Sequence, residues 1–404
     1  MNELFPELDR HLSFLLNRHN GADLIKRRVF PNLGFVYELI ERYRMDRYRK
    51  AHKTINYFYS CMLSPMFKQN SSRSLSEKIE NHVMLRNVCG FKEIPNHGSF
   101  SEEYPKFKEP FLSGVVDELV DLLRKHGAIN KNDTAIYDVT FVICNTELSK
   151  WGWCGSTKGT EYGIRVHLVY GMKSDIPLKV IVTEGNVHEL QKFDDLHVRA
   201  KELGFKRNGK DRGYTDYLRD KKLALDGDFF VTTMRSNCKH TVLSSKKVEH
   251  DFVVNDKIIW IDKMEMAIRA LETKKSTGKG TYHILTNDTF GKLDEVFEEC
   301  KGRWAIETHN KFDKHILGMN IIKSKSTDGV VASIYFCIIA FLLLKLFAVL
   351  VNMGNANAWS IVRYLEYPVD EIKKTFIDIR KMFLQSNELQ WSGPKTTLNP
   401  PQTT

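Results

Sequence analysis

The segment Val330–Val351, VVASIYFCIIAFLLLKLFAVLV, limits the fold of this chain more than any other feature. As a helix it would be about 33 Å long at the usual rise of about 1.5 Å per residue, the thickness of a bilayer core. Only Lys345 interrupts it. Such a run either crosses a membrane or is a helix buried on every side, and hydropathy alone does not separate the two. No second run of this kind occurs, and a buried core helix is expected, with a membrane anchor as the alternative. Burying it demands a large apolar shell, which 404 residues with 42% hydrophobic and 27% charged side chains can supply.

Charge and cysteine content narrow the class further. The chain carries 60 Lys and Arg against 50 Asp and Glu, a formal charge of +10, which suits a polyanionic partner. Its seven cysteines, at 61, 89, 144, 154, 238, 300 and 337, form an odd set with no CxxC pair. Neither a disulfide framework nor a zinc knuckle is suggested, and a reducing compartment fits. The start, MNELFPELDRHLSFLL, lacks the basic-then-apolar order of an export signal.

The order of elements indicates an α/β protein. Residues 1–110 show apolar positions at helical spacing, among them Phe35, Val36, Leu39 and Ile40, and suggest a helical N-terminal module. Within it, ERYRMDRYRKAHK (41–53) interleaves Arg42, Arg44, Arg47, Arg49 and Lys50 with Tyr43 and Tyr48. This stretch could lie along nucleic-acid phosphates or form a solvated helix face. In NSSRSLSEKIENHVMLRNVCGF, Ser74 or Ser76 could cap a helix, and Pro95, Gly98, Pro105 and Pro110 mark a linker with a boundary near 110. AIYDVTFVI (135–143), IRVHLVYG (164–171) and LKVIVTEG (178–185) read as a three-stranded meander. A helix at FDDLHVRAKELG, a helical stretch after DRG and the strand FFVTTM (229–234) complete a first part over 111–235. Residues 236–286 are polar and β-like and read as an insertion outside the main sheet. A helix over about 290–317, the apolar helix within 287–360, and a C-terminal helix with a Pro- and Thr-rich tail over 361–404 end the chain.

Two residues stand out chemically. Asp138 interrupts an apolar strand, where a carboxylate needs a cation or strong donors unless it falls on the solvent face. On the helix that follows the insertion, Arg303 lies near −40°, Lys314 near −20° and Cys300 near +20° of Glu307, at about 100° per residue. Ala305, Phe312 and Ile316 fall opposite, as an apolar face. Arg303 and Glu307 could be a surface i,i+4 pair, or a carboxylate that holds a divalent ion beside cations that hold phosphates.

CKGRWAIETHNKFDK (300–314) resembles the Tyr-x2-Arg-x3-Glu-x6-Lys signature of insertion-sequence transposases of the DDE type, with Arg303, Glu307 and Lys314 in register and Cys300 in the tyrosine position. KDRGYTDYL (210–218) resembles the motif around that family's second acid, Asp211, and IYDVTFV the strand of its first, Asp138. TEGNVHEL and ILTN also look like family landmarks, and the resemblance runs in order over about 70–350. The charged residues KRNGK before Asp211 depart from the short apolar strand usual there.

The resemblance implies a ribonuclease H-like mixed sheet flanked by helices, with a β-rich insertion before the third acid. It implies Asp138, Asp211 and Glu307 as catalytic residues and ligands of two Mg2+ ions, with Mn2+ as a substitute, and Arg303, Lys314 and Arg212 as phosphate contacts. It implies a cytoplasmic, nucleoid-associated protein acting on transposon inverted repeats and target DNA, working as a homodimer, with no membrane role. A ribonuclease H-like nuclease without strand transfer, and a decayed DNA-binding copy, are the alternative readings of the same residues. His188 and Glu189 are expected to shape a turn or cap, and Trp260 to pack in a core or interface rather than stack on a base.

Overall fold

A computed structural model describes residues 21–45, 52–66, 71–144, 153–156, 159–274, 280–321, 324 and 326–352. The N-terminal part is helical: α1 Gly21–Arg28, α2 Phe35–Arg42, α3 Thr54–Leu63, α4 Ser72–Asn81, α5 Val83–Cys89, α6 His97–Glu103 and α7 Glu109–Lys125. The cap of α4 is Ser71, not Ser74 or Ser76. Ser71 Oγ accepts from Ser74 N at 3.0 Å while Ser71 N donates to Ser74 Oγ at 3.1 Å, a reciprocal box that the run of four serines concealed. Ser76 instead donates to the carbonyl of Pro95 at 2.8 Å. The segment read as a linker is also largely helical. Gly98 lies in α6, and Pro110 opens α7, where a missing N–H costs nothing.

The sheet has ten strands: β1 Thr134–Ile143, β2 Trp153–Ser156, β3 Gly159–Gly171, β4 Ile176–Glu184, β5 Arg207–Lys210, β6 Phe229–Thr233, β7 His240–Lys247, β8 Val253–Ile261, β9 Met266–Lys274 and β10 Thr281–Thr286. β1 and β4 flank β3 antiparallel, with Asp138 opposite Leu168 and Leu168 opposite Val180. β5 then joins β1 in parallel, and β6 joins β5 in parallel. Three antiparallel strands followed by two parallel ones, with helices α8 (Phe193–Glu202) and α9 (Tyr217–Leu225) in the connections, form the ribonuclease H-like sheet that the sequence suggests.

Residues 236–286 do not stand apart from it. β10 pairs antiparallel with β6, Thr286 opposite Val231, and β9, β8 and β7 follow outward. The otherwise open edge of β6 has N–H and C=O groups to satisfy, and β10 meets them. Trp260, on β8, is 40% exposed and so is not a core residue.

The charged strand before Asp211 is accommodated by pairing each polar side chain. Arg207 binds Glu299 and, at 2.8 Å, Asp288. Asn208 accepts from the Tyr137 hydroxyl at 2.9 Å and donates to the Phe229 carbonyl at 3.0 Å. Lys210 forms a buried ion pair with Asp220. A Cβ on Gly209 would lie 2.5 Å from Ile136 Cδ1, so a larger residue there would require that side chain to move.

The helix expected over 290–317 is two, α10 Leu293–Lys301 and α11 Arg303–His315, divided at Gly302. A Cβ on Gly302 would fall 2.1 Å from Met172 Sδ and 3.0 Å from the Glu299 carbonyl, so the close approach to Met172 needs glycine. Cys300 therefore belongs to α10 and its angular position cannot be carried over from α11.

The apolar helix α12, Thr327–Leu350, is long and apolar enough to cross a membrane by length and composition, yet 94% of its apolar window is buried inside the protein. Phe336 packs against Phe58, Tyr104 and Phe107 at ring distances of 5.8, 5.2 and 5.5 Å. Tyr335 donates to Glu109 Oε1 and the Val180 carbonyl at 3.1 and 3.2 Å. Each large apolar side chain buried here contributes about 1.5–3 kcal/mol. Lys345 binds Asp175. The helix is a core element packed between the N-terminal helices and the sheet.

Candidate active site

The site begins where β1 and β5 run side by side. Their parallel register pairs Tyr137 with Lys210, so Asp138 and Asp211 follow at the same level, on strands about 4.8 Å apart. The Asp-Arg-Gly-Tyr segment is tied to the first strand at this point. Asp211 ends the extended backbone, Arg212–Tyr214 turn as a 3-10 helix, and the buried Tyr214 hydroxyl donates to the Asp138 carbonyl at 3.2 Å. Gly213 lies against Glu189, whose Oε2 would be 1.8 Å from an added Cβ.

Helix α11 crosses β1 and supplies the third carboxylate. Glu307 is half-buried and shares with Asp211 an open cleft of about 640 Å³, also lined by Met172, Thr233, Tyr282 and Cys300. One turn on, Asn310 Nδ2 donates to Asp138 Oδ2 at 3.2 Å. Lys314 Nζ donates to the Phe141 carbonyl at 3.0 Å. Burial lowers the pKa of that ammonium, and the charge of Asp138 opposes the shift. The stripe Glu307, Asn310, Lys314 thus faces the end of β1, whereas Ile306, His309, Phe312 and Asp313 are buried behind it. Ile316 is only partly buried, so the buried face of α11 is more polar than its sequence suggests. His309 and Asp313 approach to 3.1 Å with both side chains fully buried. Burial raises the Asp313 carboxyl well above its ordinary range and lowers His309 to about 3, disfavouring the charged form of each.

Residues 130–343, just over half of the chain, match the family described as "Transposase DDE domain". The chain belongs to the DDE transposases. Two named relatives agree. "Putative transposase y4zB" of Sinorhizobium fredii is 27% identical over 207 residues, covering 49% of this chain and 56% of that protein. "Putative transposase for insertion sequence element IS4SA" of Synechocystis is 26% identical over 307 residues, covering 74% and 82%. The chain therefore spans about half the length of the first relative and most of the second.

In this transposase, Asp211 and Glu307 line one cleft, Asp138 stands level with Asp211 on the adjacent strand, and Lys314 lies near Asp138. Arg303 opens α11, and its side chain lies outside the described residues. Arg212 is exposed and donates to Ser236 Oγ at 3.1 Å. Arg42 and Arg44 are exposed on and just after α2, while Arg47, Arg49 and Lys50 fall outside the described residues, as do the C-terminal helix and tail expected over 361–404. The neighbouring acids have other partners: Asp216 caps α9 through Leu218 N and Arg219 N, Asp220 binds Lys210, and Asp228 binds Lys201 at 3.0 Å. Asp226 is exposed. His188 accepts from Leu190 N at 3.2 Å and caps a short 3-10 turn.

The family uses divalent metal ions. Carboxylate oxygens are the donors that such hard ions prefer. Among the described residues no three Asp, Glu, His or Cys side chains form a closed cluster around one point. Mg2+ is commonly held by one or two carboxylates together with substrate phosphates rather than by an all-protein cage, and an open cleft with acids on its walls fits that mode. Among the residues that escaped the sequence reading are Asn310, beside Asp138, and Tyr282, in the cleft lining. Asn310 has a signal, its i+3 position after Glu307. Tyr282 has none, because its place beside Cys300 arises from the insertion sheet joining β6.

Proposed function

We propose that this transposase cleaves DNA at transposon ends and joins the released 3′-hydroxyl to target DNA, with Asp138, Asp211 and Glu307 as its catalytic acids. The observation that carries this reading is the placement of two aspartates at one level of adjacent strands, with a glutamate from α11 lining the same cleft as Asp211. The three carboxylates would hold two Mg2+ ions, or Mn2+ in their place. Bound ions supply charge neutralisation at the phosphate and activation of the attacking water or 3′-hydroxyl.

The chain's own side chains do the rest. Lys314 is held at the Phe141 carbonyl, where the charge of Asp138 opposes the effect of burial on its ammonium. Arg303 and Arg212 would contact phosphates, Arg as a planar fork and Lys as a point charge. The exposed Arg42 and Arg44, with Arg47, Arg49 and Lys50, would extend the contact to the flanking DNA. Pairing two inverted repeats calls for a homodimer, acting in the cytoplasm at the nucleoid.

The test is a labelled duplex carrying the inverted repeats that flank the gene, incubated with Mg2+. Asp138→Asn, Asp211→Asn and Glu307→Gln proteins should bind the duplex yet lose cleavage by about a thousand-fold or more, the scale expected when charge stabilisation at a reacting phosphate is removed. Full cleavage by any of the three would refute its assignment. Cleavage without joined product in the wild type would instead indicate a nuclease that performs no strand transfer.

A further inference from the structure

The side chain of Asn310 is assigned no role by the acid and base residues above, yet its surroundings are specific. It is 8% exposed, lies on the Glu307–Lys314 stripe of α11, and donates Nδ2 to Asp138 Oδ2 at 3.2 Å. An ionised carboxylate only accepts, so this contact fixes which end of the amide faces Asp138. The other end, Oδ1, is buried and has no hydrogen-bond partner among the described residues. A buried carbonyl oxygen left in that state costs about 1–3 kcal/mol. A core position filled for stability alone would favour an apolar side chain of the same volume.

We propose that Asn310 is a positioning residue of the metal site. Its Nδ2–H pins one oxygen of Asp138 and so sets the direction in which the other lone pairs face the cleft. Its Oδ1 stays buried and unpartnered among the described residues, the cost of setting Nδ2 on that carboxylate. Fixing a ligand's orientation from behind is commonly worth 10- to 100-fold in metal affinity. The hydrogen bond also couples α11 to β1, so that Glu307 and Asp138 are held at a set separation. This inference rests on the reading of Asp138 as a metal ligand.

The experiment uses the full chain and Mn2+ alone, with free Mn2+ followed by electron paramagnetic resonance, alongside thermal unfolding without metal. Asn310→Leu keeps the volume and removes both polar ends. The expected result is Mn2+ binding weakened at least ten-fold while the metal-free melting temperature is unchanged or higher, because an unsatisfied oxygen has gone. Asp138→Asn should lose binding. Wild-type Mn2+ affinity in Asn310→Leu, with binding lost in Asp138→Asn, overturns the role of Asn310. Wild-type affinity in Asp138→Asn overturns the metal-site reading beneath it. A fall in the metal-free melting temperature of Asn310→Leu without a change in affinity assigns the residue to packing and also overturns the proposal. If Asn310→Leu does not fold, Asn310→Ala replaces it in the same affinity measurement.

Discussion

Lys210→Met should destabilise the protein by about 4 kcal/mol at neutral pH, and the loss should shrink in acid. The Lys210 and Asp220 side chains are 0% and 1% exposed and bind each other. The ammonium also lies 5.3 and 5.4 Å from the ring centres of Phe193 and Phe230. Burial raises the Asp220 carboxyl, and Lys210 only partly offsets that. Its Oδ2 has no hydrogen-bond partner among the described residues. The pair is thus near neutral for stability, but removal of the cation leaves a buried carboxylate that can only persist by taking a proton. Protonation at pH 7 from an ordinary pKa near 3.9 costs about 4 kcal/mol, at about 1.36 kcal/mol per unit, and at pH 5 about 1.5 kcal/mol. These values match the range of about 3–5 kcal/mol for breaking a buried pair. Replacing both partners, Lys210→Met with Asp220→Leu, should return stability to within about 1 kcal/mol of the native protein. Urea unfolding at pH 7 and pH 5 measures this, with the midpoint of Lys210→Met lowered by about 1.3 M at pH 7 for a slope of about 3 kcal/mol per molar. The reasoning fails if Lys210→Met costs under 1 kcal/mol, if its cost is the same at both pH values, or if the double variant is no better than the single.

Two further outcomes follow from buried groups outside the cleft. His167 is fully buried, hydrogen-bonded to Thr183 Oγ1 at 2.8 Å, and lowered to about 4 by burial and then by Arg165 and Lys192. Its folded pKa is below its unfolded value near 6.5, so its contribution is complete above pH 6.5 and is lost as pH falls toward 4, about 3 kcal/mol in all. Chemical denaturation from pH 7 to 4 should show a shallower decline in His167→Gln, and an identical decline would count against this. At Lys345 and Asp175, whose side chains are 10% and 41% exposed, the partners should behave unequally. Lys345→Met should change stability by under about 1 kcal/mol, since Asp175 keeps water and the Tyr170 hydroxyl. Asp175→Asn should cost about 3 kcal/mol, because it leaves a buried ammonium beside a neutral group. Equal effects in a thermal unfolding comparison would refute the asymmetry.

Much of the architecture is legible in the residue order. The apolar runs containing Asp138, Val166 and Val180 read as strands because alternation and length agree, and the ribonuclease H-like order follows from them. Strand β5 could not be read that way: Arg207, Asn208 and Lys210 look solvent-facing until Glu299, Asp288, Tyr137 and Asp220, all distant in sequence, arrive to pair them. The break at Gly302 was equally hidden, since it depends on Met172. So was the attachment of the insertion, which rests on the open edge of β6.

For the site, the linear pattern alone determined that Glu307 and Lys314 share one stripe of a helix, because helical geometry repeats every 3.6 residues. It also determined that the run from Val330 must be removed from water, because so many apolar side chains cannot remain hydrated. Tertiary structure alone decided what removes it, the aromatic shell of Phe58, Tyr104 and Phe107. It alone brought Asp211 level with Asp138 and set Asn310 against that carboxylate. Strand register and helix crossing are set by long-range packing, and no local preference in a sequence encodes the partner that a residue will meet across the fold.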